Sequence, residues 1–228
     1  MSKIFLSIAS GPGMALSTAK RFAREGYDIV LSSRSVEKLR PCAAEIEKLG
    51  AKVEVRQIDA SDARAVAKLV ESIGPDLHVV HYNGAALHFA NGRLLTRTLD
   101  DETLDSLLAD LNTSAISALA AIKAATGAMK ARGSGTLLIT GGGFCFAPSG
   151  DYLTLSLGKV ALRTMTQTLF EQLKKQNIHV FSAVICQYVT AGSKDAEEVA
   201  EMFWRNHAQP REEWKYEEVF GNLEEDHA

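Results

Sequence analysis

Two clusters near the start of the chain have residue types and spacing that suit an anion. The first is Ser10-Gly11-Pro12-Gly13, a tight turn directly after the apolar run Lys3–Ala9. It leads into Met14–Arg24, whose pattern predicts a helix. Such a turn presents backbone N–H groups, at the positive end of the helix dipole, to a phosphate. The second is Ser32-Ser33-Arg34, which closes another apolar run, Tyr27–Leu31. A carboxylate there would bind a ribose 2′-hydroxyl and repel a 2′-phosphate, whereas two serines and an arginine suit the phosphate. Ala9, Ser10, Gly11, Gly13 and Met14 are therefore predicted to hold a dinucleotide pyrophosphate. Ser33, Arg34 and Ser35 are predicted to hold the 2′-phosphate of NADP(H). The alternative for Arg34 is a surface ion pair with Glu37 or Glu45.

A third group lies downstream. Tyr152 precedes Lys159 by seven residues. On a regular helix the two share a face but stand about 10 Å apart along the axis, too far for contact. A non-helical start would bring Tyr152 into play as a proton donor; otherwise it is an amphipathic residue with its hydroxyl in water. Ser149, Thr154 and Ser156 are neighbouring hydroxyls, but weaker acids. His78 and His81 read as strand residues, while His88 follows the strand and is placed to approach a substrate mouth. No His/Cys/Asp cluster has metal-ligand spacing, so no metal is expected.

Positioning these groups requires a particular set of elements. Strands are predicted near 3–9, 27–32, 52–57, 77–82, 135–140, 178–185 and 215–220, and helices near 13–25, 35–49, 61–73, 99–131, 151–176 and 195–208. The alternation implies an α/β fold: a Rossmann-like, doubly wound parallel sheet of about seven strands with helices on both faces. Strands such as Gly135–Thr140 and Val180–Ile185 are mostly apolar rather than alternating, as strands covered on both sides should be. Residues 1–220 read as a single domain and the acidic residues 221–228 as a flexible tail. The helix over 99–131 is too long to be straight and is expected to bend near Asn112-Thr113-Ser114.

The 228 residues are 46% hydrophobic and 23% charged, with a net charge of −3. That is enough chain to bury roughly 70–75% of its unfolded surface. No basic stripe argues for nucleic acid or an anionic membrane. No run approaches the ~20 apolar residues of a spanning helix, and the N-terminus lacks the pattern of a signal peptide. The three cysteines, Cys42, Cys145 and Cys186, read as buried free thiols in a reducing, cytoplasmic setting.

With these elements in place, the chain resembles the short-chain dehydrogenase/reductase family over nearly its whole length. The family's Thr-Gly-x-x-x-Gly-x-Gly register falls on Ile8–Ala15, with Gly13 in place and alanine at positions 9 and 15. Asp59, followed by Ala60, matches the acid that touches adenine. Tyr82-Asn83-Gly84-Ala85 is similar to the family's Asn-Ala-Gly turn with its last two residues exchanged. Asn112 matches the helix asparagine, and Lys159 the lysine of Tyr-x-x-x-Lys. The resemblance implies that Asp59, Ala60, Asn83, Gly84 and Ala85 line the adenosine half of NADP(H). It also implies Lys159 on the nicotinamide ribose, Val189 beside the nicotinamide amide, Asn112 on a proton-relay water, and a homodimer or homotetramer built on the long helices. The family's tyrosine falls on Leu155 and its serine on Gly142, neither of which can give a proton. Two readings follow: an oxidoreductase of a small carbonyl or alcohol with an atypical proton donor, Tyr152 foremost, or a catalytically silent NADP(H)-binding sensor or regulator. The segment after the strand at 178–185 is short for a substrate lid, which implies an open pocket or one completed by a partner subunit.

Overall fold

A computed structural model describes residues 3–222 of the chain. The main sheet is built from β1 (Ile4–Ile8), β2 (Asp28–Ser33), β3 (Val53–Gln57), β4 (Leu77–Tyr82), β7 (Gly135–Thr140), β8 (Ile178–Ile185) and β9 (Glu217–Phe220). A two-stranded hairpin, β5 (Phe89–Ala90) and β6 (Arg93–Leu94), stands apart. The helices are α1 (Met14–Arg24), α2 (Val36–Glu47), α3 (Ala63–Ile73), α4 (Leu104–Leu111), α5 (Ser117–Arg132), α6 (Leu153–Lys174) and α7 (Lys194–Ala208).

Strand order is β3-β2-β1-β4-β7-β8-β9, and every neighbouring pair is parallel. The order reverses between β1 and β4, so the crevice for a ligand lies at the C-terminal ends of those strands. Two apolar layers explain the mostly apolar strands. Val66, Ala121, Ile122, Ala125, Leu162 and Phe170 from α3, α5 and α6 pack on one face. Leu16, Phe22, Leu39, Ile46, Val199 and Phe203 from α1, α2 and α7 pack on the other.

Three expectations need correction. The helix predicted over 99–131 begins only at Leu104. Thr98 and Thr103 each close a capping box, with Asp101 and Ser106, which splits off a short 3₁₀ turn at Leu99–Asp101. The expected bend is a π turn over Asn112–Ile116, where the Tyr82 hydroxyl donates to the Thr113 carbonyl. The hairpin was not foreseen, although Asn91-Gly92, with φ of 50° and 78°, is the sequence signature of a tight two-residue hairpin turn. Finally, Cys145 is half-buried, unlike Cys42 and Cys186. The tail residues 223–228 lie outside the described residues.

Candidate active site

The turn after β1 is held from below. Ser10 donates its backbone N–H to the Ser32 carbonyl at 2.8 Å and its hydroxyl to the Ser7 carbonyl at 2.9 Å. The left-handed conformation in this turn belongs to Ala9, at φ 58°, and not to either glycine. Gly13 caps α1 without a side-chain oxygen, and no acidic residue occupies the helix's first turn. A Cβ at Gly11 or Gly13 would meet nothing within 4 Å. The helix N-terminus thus offers open, uncompensated N–H groups, and a pyrophosphate fits them.

The second cluster sits beside it, since Ile8 of β1 pairs with Ser32 of β2. Ser33 Oγ donates to the Ser35 carbonyl at 3.0 Å, and Ser35 caps α2 by accepting from Lys38 N at 3.4 Å. Arg34 is exposed, and among the described residues it forms no ion pair. Its predicted competitors are occupied: Glu45 pairs with Lys20 at 2.9 Å, and Glu37 accepts from Ser35 Oγ at 3.2 Å. Arg34 thus directly precedes Ser35, the N-cap of α2, with its side chain exposed, a fitting place for a phosphate. The Glu37 carboxylate opposes it, since backbone and Ser35 hydrogen bonds hold that carboxyl below its ordinary pKa. Asp59 is exposed and accepts from Ser61 N and Oγ, both at 2.9 Å. Those bonds lower its pKa, with Arg34 a further, smaller influence. Ala60 is buried beside it.

A hydrogen-bonded line connects the turn to the lysine of α6. Asn83 Nδ2 donates to the Ala9 carbonyl at 3.3 Å, and Thr140 Oγ1 donates to Asn83 Oδ1 at 2.9 Å. His81 Nε2 lies 2.9 Å from the same hydroxyl, whose one proton is already committed. His81 must therefore donate from Nε2, which leaves Nδ1 as a bare acceptor; burial depresses its pKa to about 3, so the ring is neutral. Lys159 Nζ donates to the Thr140 carbonyl at 2.9 Å. Only 8% of Lys159 is exposed, and burial pulls its ammonium down to about 8. Its side chain runs over Gly142, where an added Cβ would come within 2.9 Å of Lys159 Cε. Gly84 turns the chain under the Tyr82 ring, with a Cβ there 2.8 Å from the phenol.

Leu155, one helical turn before Lys159, is 5% exposed. Asn112 opens the π turn and is half-buried. That turn approaches α6 closely, because a Cβ on Gly158 would lie 2.3 Å from Ser114 Cβ. π turns interrupt helices at functional positions elsewhere. Tyr152 is not on the regular helix. It is the residue before α6, at φ −132° and ψ 53°, with its ring 5.2 Å from that of Phe144. Together with Ala86, His88, Leu94, Leu95, Arg97, Thr154 and Leu155 it lines a small pocket. The cover of this pocket comes from the segment between β4 and α4, not from the loop after β8. Arg97 clips that segment to the start of α6, donating its N–H to the Asp151 carbonyl at 2.7 Å and accepting from Leu153 N at 3.2 Å. Val189 is half-buried in the loop after β8.

The model of the short chain dehydrogenase family matches residues 3–201. The chain belongs to this family. Among curated relatives, dehydrogenase/reductase SDR family member 4 of Pongo abelii is 29% identical over 184 residues, 78% of this chain and 63% of that protein. The very-long-chain 3-oxoacyl-CoA reductase of Schizosaccharomyces pombe is 26% identical over 189 residues, 80% of this chain and 55% of that protein. The match thus spans less than two thirds of these relatives. Among solved structures, a short-chain dehydrogenase from Rhodopseudomonas palustris shares the fold at a TM-score of 0.82 and 23% identity, covering 96% of this chain and 98% of that one. A metagenomic short-chain oxidoreductase in complex with NADP also reaches 0.82, at 18% identity and 95% coverage of both chains. The family match and these structural likenesses agree with the strand order and parallel sheet described above.

Sequence reasoning overlooked Arg97, which lines the pocket, and Asp110 and Glu102, which pair with its lining residues. One signal was available. Asp110 is a lone carboxylate in the apolar stretch Leu107–Leu111, and a buried carboxylate demands partners.

Proposed function

We propose that the chain is an NADP(H)-dependent oxidoreductase of a small carbonyl or alcohol, with a proton donor other than residue 155. The observation that carries the cofactor reading is that the open N-terminus of α1 and the exposed Arg34, just before the N-cap of α2, follow adjacent paired strands. Ala9, Ser10, Gly11, Gly13 and Met14 would hold the pyrophosphate, and Ser33, Arg34 and Ser35 the 2′-phosphate. Asp59, Ala60, Asn83, Gly84 and Ala85 would line the adenosine half, with Val189 toward the nicotinamide. When bound, the cofactor would supply the hydride. The chain's own part is to orient the substrate, exclude water and exchange one proton with the substrate oxygen. Lys159 would keep the nicotinamide ribose in place, and Asn112 a relay water.

The substitution of the family tyrosine and serine by Leu155 and Gly142 supports a second reading, a silent NADP(H) sensor or regulator. Calorimetric titration with NADPH and NADH, followed by NADPH oxidation with a carbonyl panel, separates the two. Tight NADPH binding with turnover supports the enzyme; binding without any turnover supports the sensor; no binding of either nucleotide removes both.

A homodimer through α4, α5 and α6 is part of the proposal. Leu104, Leu108, Ile116, Leu119 and Leu157 are between 45% and 71% exposed. The helical run Leu104–Arg132 is, by length and composition alone, apolar enough to cross a membrane, with mean hydropathy 1.2 in its most apolar window. Its buried face packs on the sheet through Ala118, Ala121, Ile122 and Ala125, and a second subunit would cover the other face.

A further inference from the structure

The geometry points to the His88–Asp110 pair as the acid–base group of the pocket, with His88 Nδ1 exchanging the proton that the residue at 155 cannot. This rests on the oxidoreductase reading of the pocket and deepens it.

The pair is assembled from separate elements. His88 follows the turn after β4, and Asp110 lies in the last turn of α4. Their contact, His88 Nε2 to Asp110 Oδ2, is 2.9 Å. Asp110 is 6% exposed, and its Oδ2 also accepts from Thr154 Oγ1 at 2.8 Å. A carboxylate that accepts from Nε2 holds the proton on that nitrogen, so Nδ1 is the atom free to act. Thr154 belongs to the first turn of α6, and His88, Thr154 and Leu155, the position where the family places its acid, line one pocket.

Other charged groups at the pocket are already committed. Arg97 binds Glu102 at 2.8 Å and Asp110 at 3.5 Å. Glu102 has no side-chain exposure and also accepts from Ser106 Oγ at 2.5 Å. With Arg97 paired, the titratable side chains left to face a substrate are His88 and Tyr152. His88 is partly exposed, at 37% of its side chain, so it can exchange its proton with water between turnovers.

The step balances simply. In reduction, the Nδ1–H bond of the imidazolium breaks and an O–H bond forms on the substrate oxygen, while the N–H electron pair stays on the ring. Solvent then returns the proton. In the oxidative direction, neutral Nδ1 accepts the hydroxyl proton. Asp110 does not touch the substrate; it is a positioning residue that fixes the tautomer and stabilises the imidazolium.

The test uses the full chain, with and without NADP⁺, and butyrate as a probe whose carboxylate stands in for the oxyanion. Calorimetry at pH 7.5 in phosphate and in Tris, buffers of different ionisation enthalpy, reads proton uptake on butyrate binding. Wild type and Tyr152→Phe are expected to take up a proton, His88→Gln none, and Asp110→Asn less than wild type. Absence of butyrate binding, binding without uptake, or uptake preserved in His88→Gln overturns the proposal. NADPH titration and turnover with 2,3-butanedione are run on the same proteins. His88→Gln is expected to lose about 10²–10⁴-fold in turnover while still binding NADPH. Turnover intact in His88→Gln rejects this pair and leaves the oxidoreductase reading standing; loss of NADPH binding in wild type rejects the reading itself.

Discussion

Lys159→Met is expected to convert a pH-dependent stability into a flatter one, over a window set by the burial of the lysine. Burial pulls the folded ammonium to about 8, against about 10.4 in an unfolded chain. Between these values the unfolded chain holds a proton that the folded chain has released, and stability rises with pH wherever the unfolded state binds more protons. The penalty of the buried charge is therefore complete below about pH 8, and it is gone above the unfolded value. Within the window it shrinks by up to about 1.4 kcal/mol per pH unit, so at neutral pH it is on the order of 3 kcal/mol. Cys145 works in the opposite sense. Burial raises its thiol to about 11, so the folded chain keeps that proton where the unfolded chain loses it, and stability falls. Comparing wild type with Lys159→Met at each pH largely removes this term, and repeating the pair in a Cys145→Ser background removes the rest. Methionine keeps most of the stem that packs over Gly142. The assay is urea unfolding at half-unit steps from pH 7 to 10.5, with m-values compared. Wild type is expected to gain about 1–2 kcal/mol on the methionine variant between pH 8 and 9.5. A difference that stays constant across the range would refute the reasoning and mean that the ammonium is solvated in the native protein.

Arg34→Ala should weaken NADPH about 10–100-fold and leave NADH nearly unchanged, as loss of charge-assisted hydrogen bonds implies; Glu37→Gln should strengthen NADPH, because its carboxylate bonds Ser35 beside the same arginine. Both are read by calorimetry, and equal losses for the two nucleotides in Arg34→Ala would remove the 2′-phosphate assignment. Ala9→Gly should stabilise the fold by about 0.5–1 kcal/mol, since it relieves the left-handed backbone at φ 58° at the cost of a more flexible unfolded chain; a destabilised variant in urea titrations would count against that balance. Leu108→Asp combined with Leu119→Asp should give a folded monomer by light scattering, whereas an unchanged oligomer would place the interface elsewhere.

How much of this was legible in the sequence differs by element. The parallel sheet was readable because apolar strands between helices have no other way to bury both faces, and every main strand lies within a few residues of its expected place. The glycine turn, Ser33–Arg34–Ser35 and Lys159 stand out as candidates in the sequence because their chemistry is local: a few consecutive residues, or one helix position, carry the signal. The long helix was misjudged at its start because Thr98 and Thr103 compete for the same stretch, and the outcome rests on side-chain caps that periodicity does not register. The Asn91-Gly92 hairpin was present in the residues but too short to show a strand pattern.

What tertiary structure decided is where separate segments meet. Leu155 and Gly142 could be seen to lack a proton, yet nothing in their neighbours along the chain indicates that Lys159 fills the space over Gly142. Likewise His88, Asp110 and Thr154 are spread over 67 residues, and none of the three has a partner nearby in sequence that explains it, whereas Arg97 and Glu102 pair five residues apart. Only the packing of α4 against α6, with the β4–α4 segment clipped across by Arg97, brings them to one pocket. Charge pairing across such distances depends on which surfaces are buried together, and that is a property of the folded core rather than of any local run of residues.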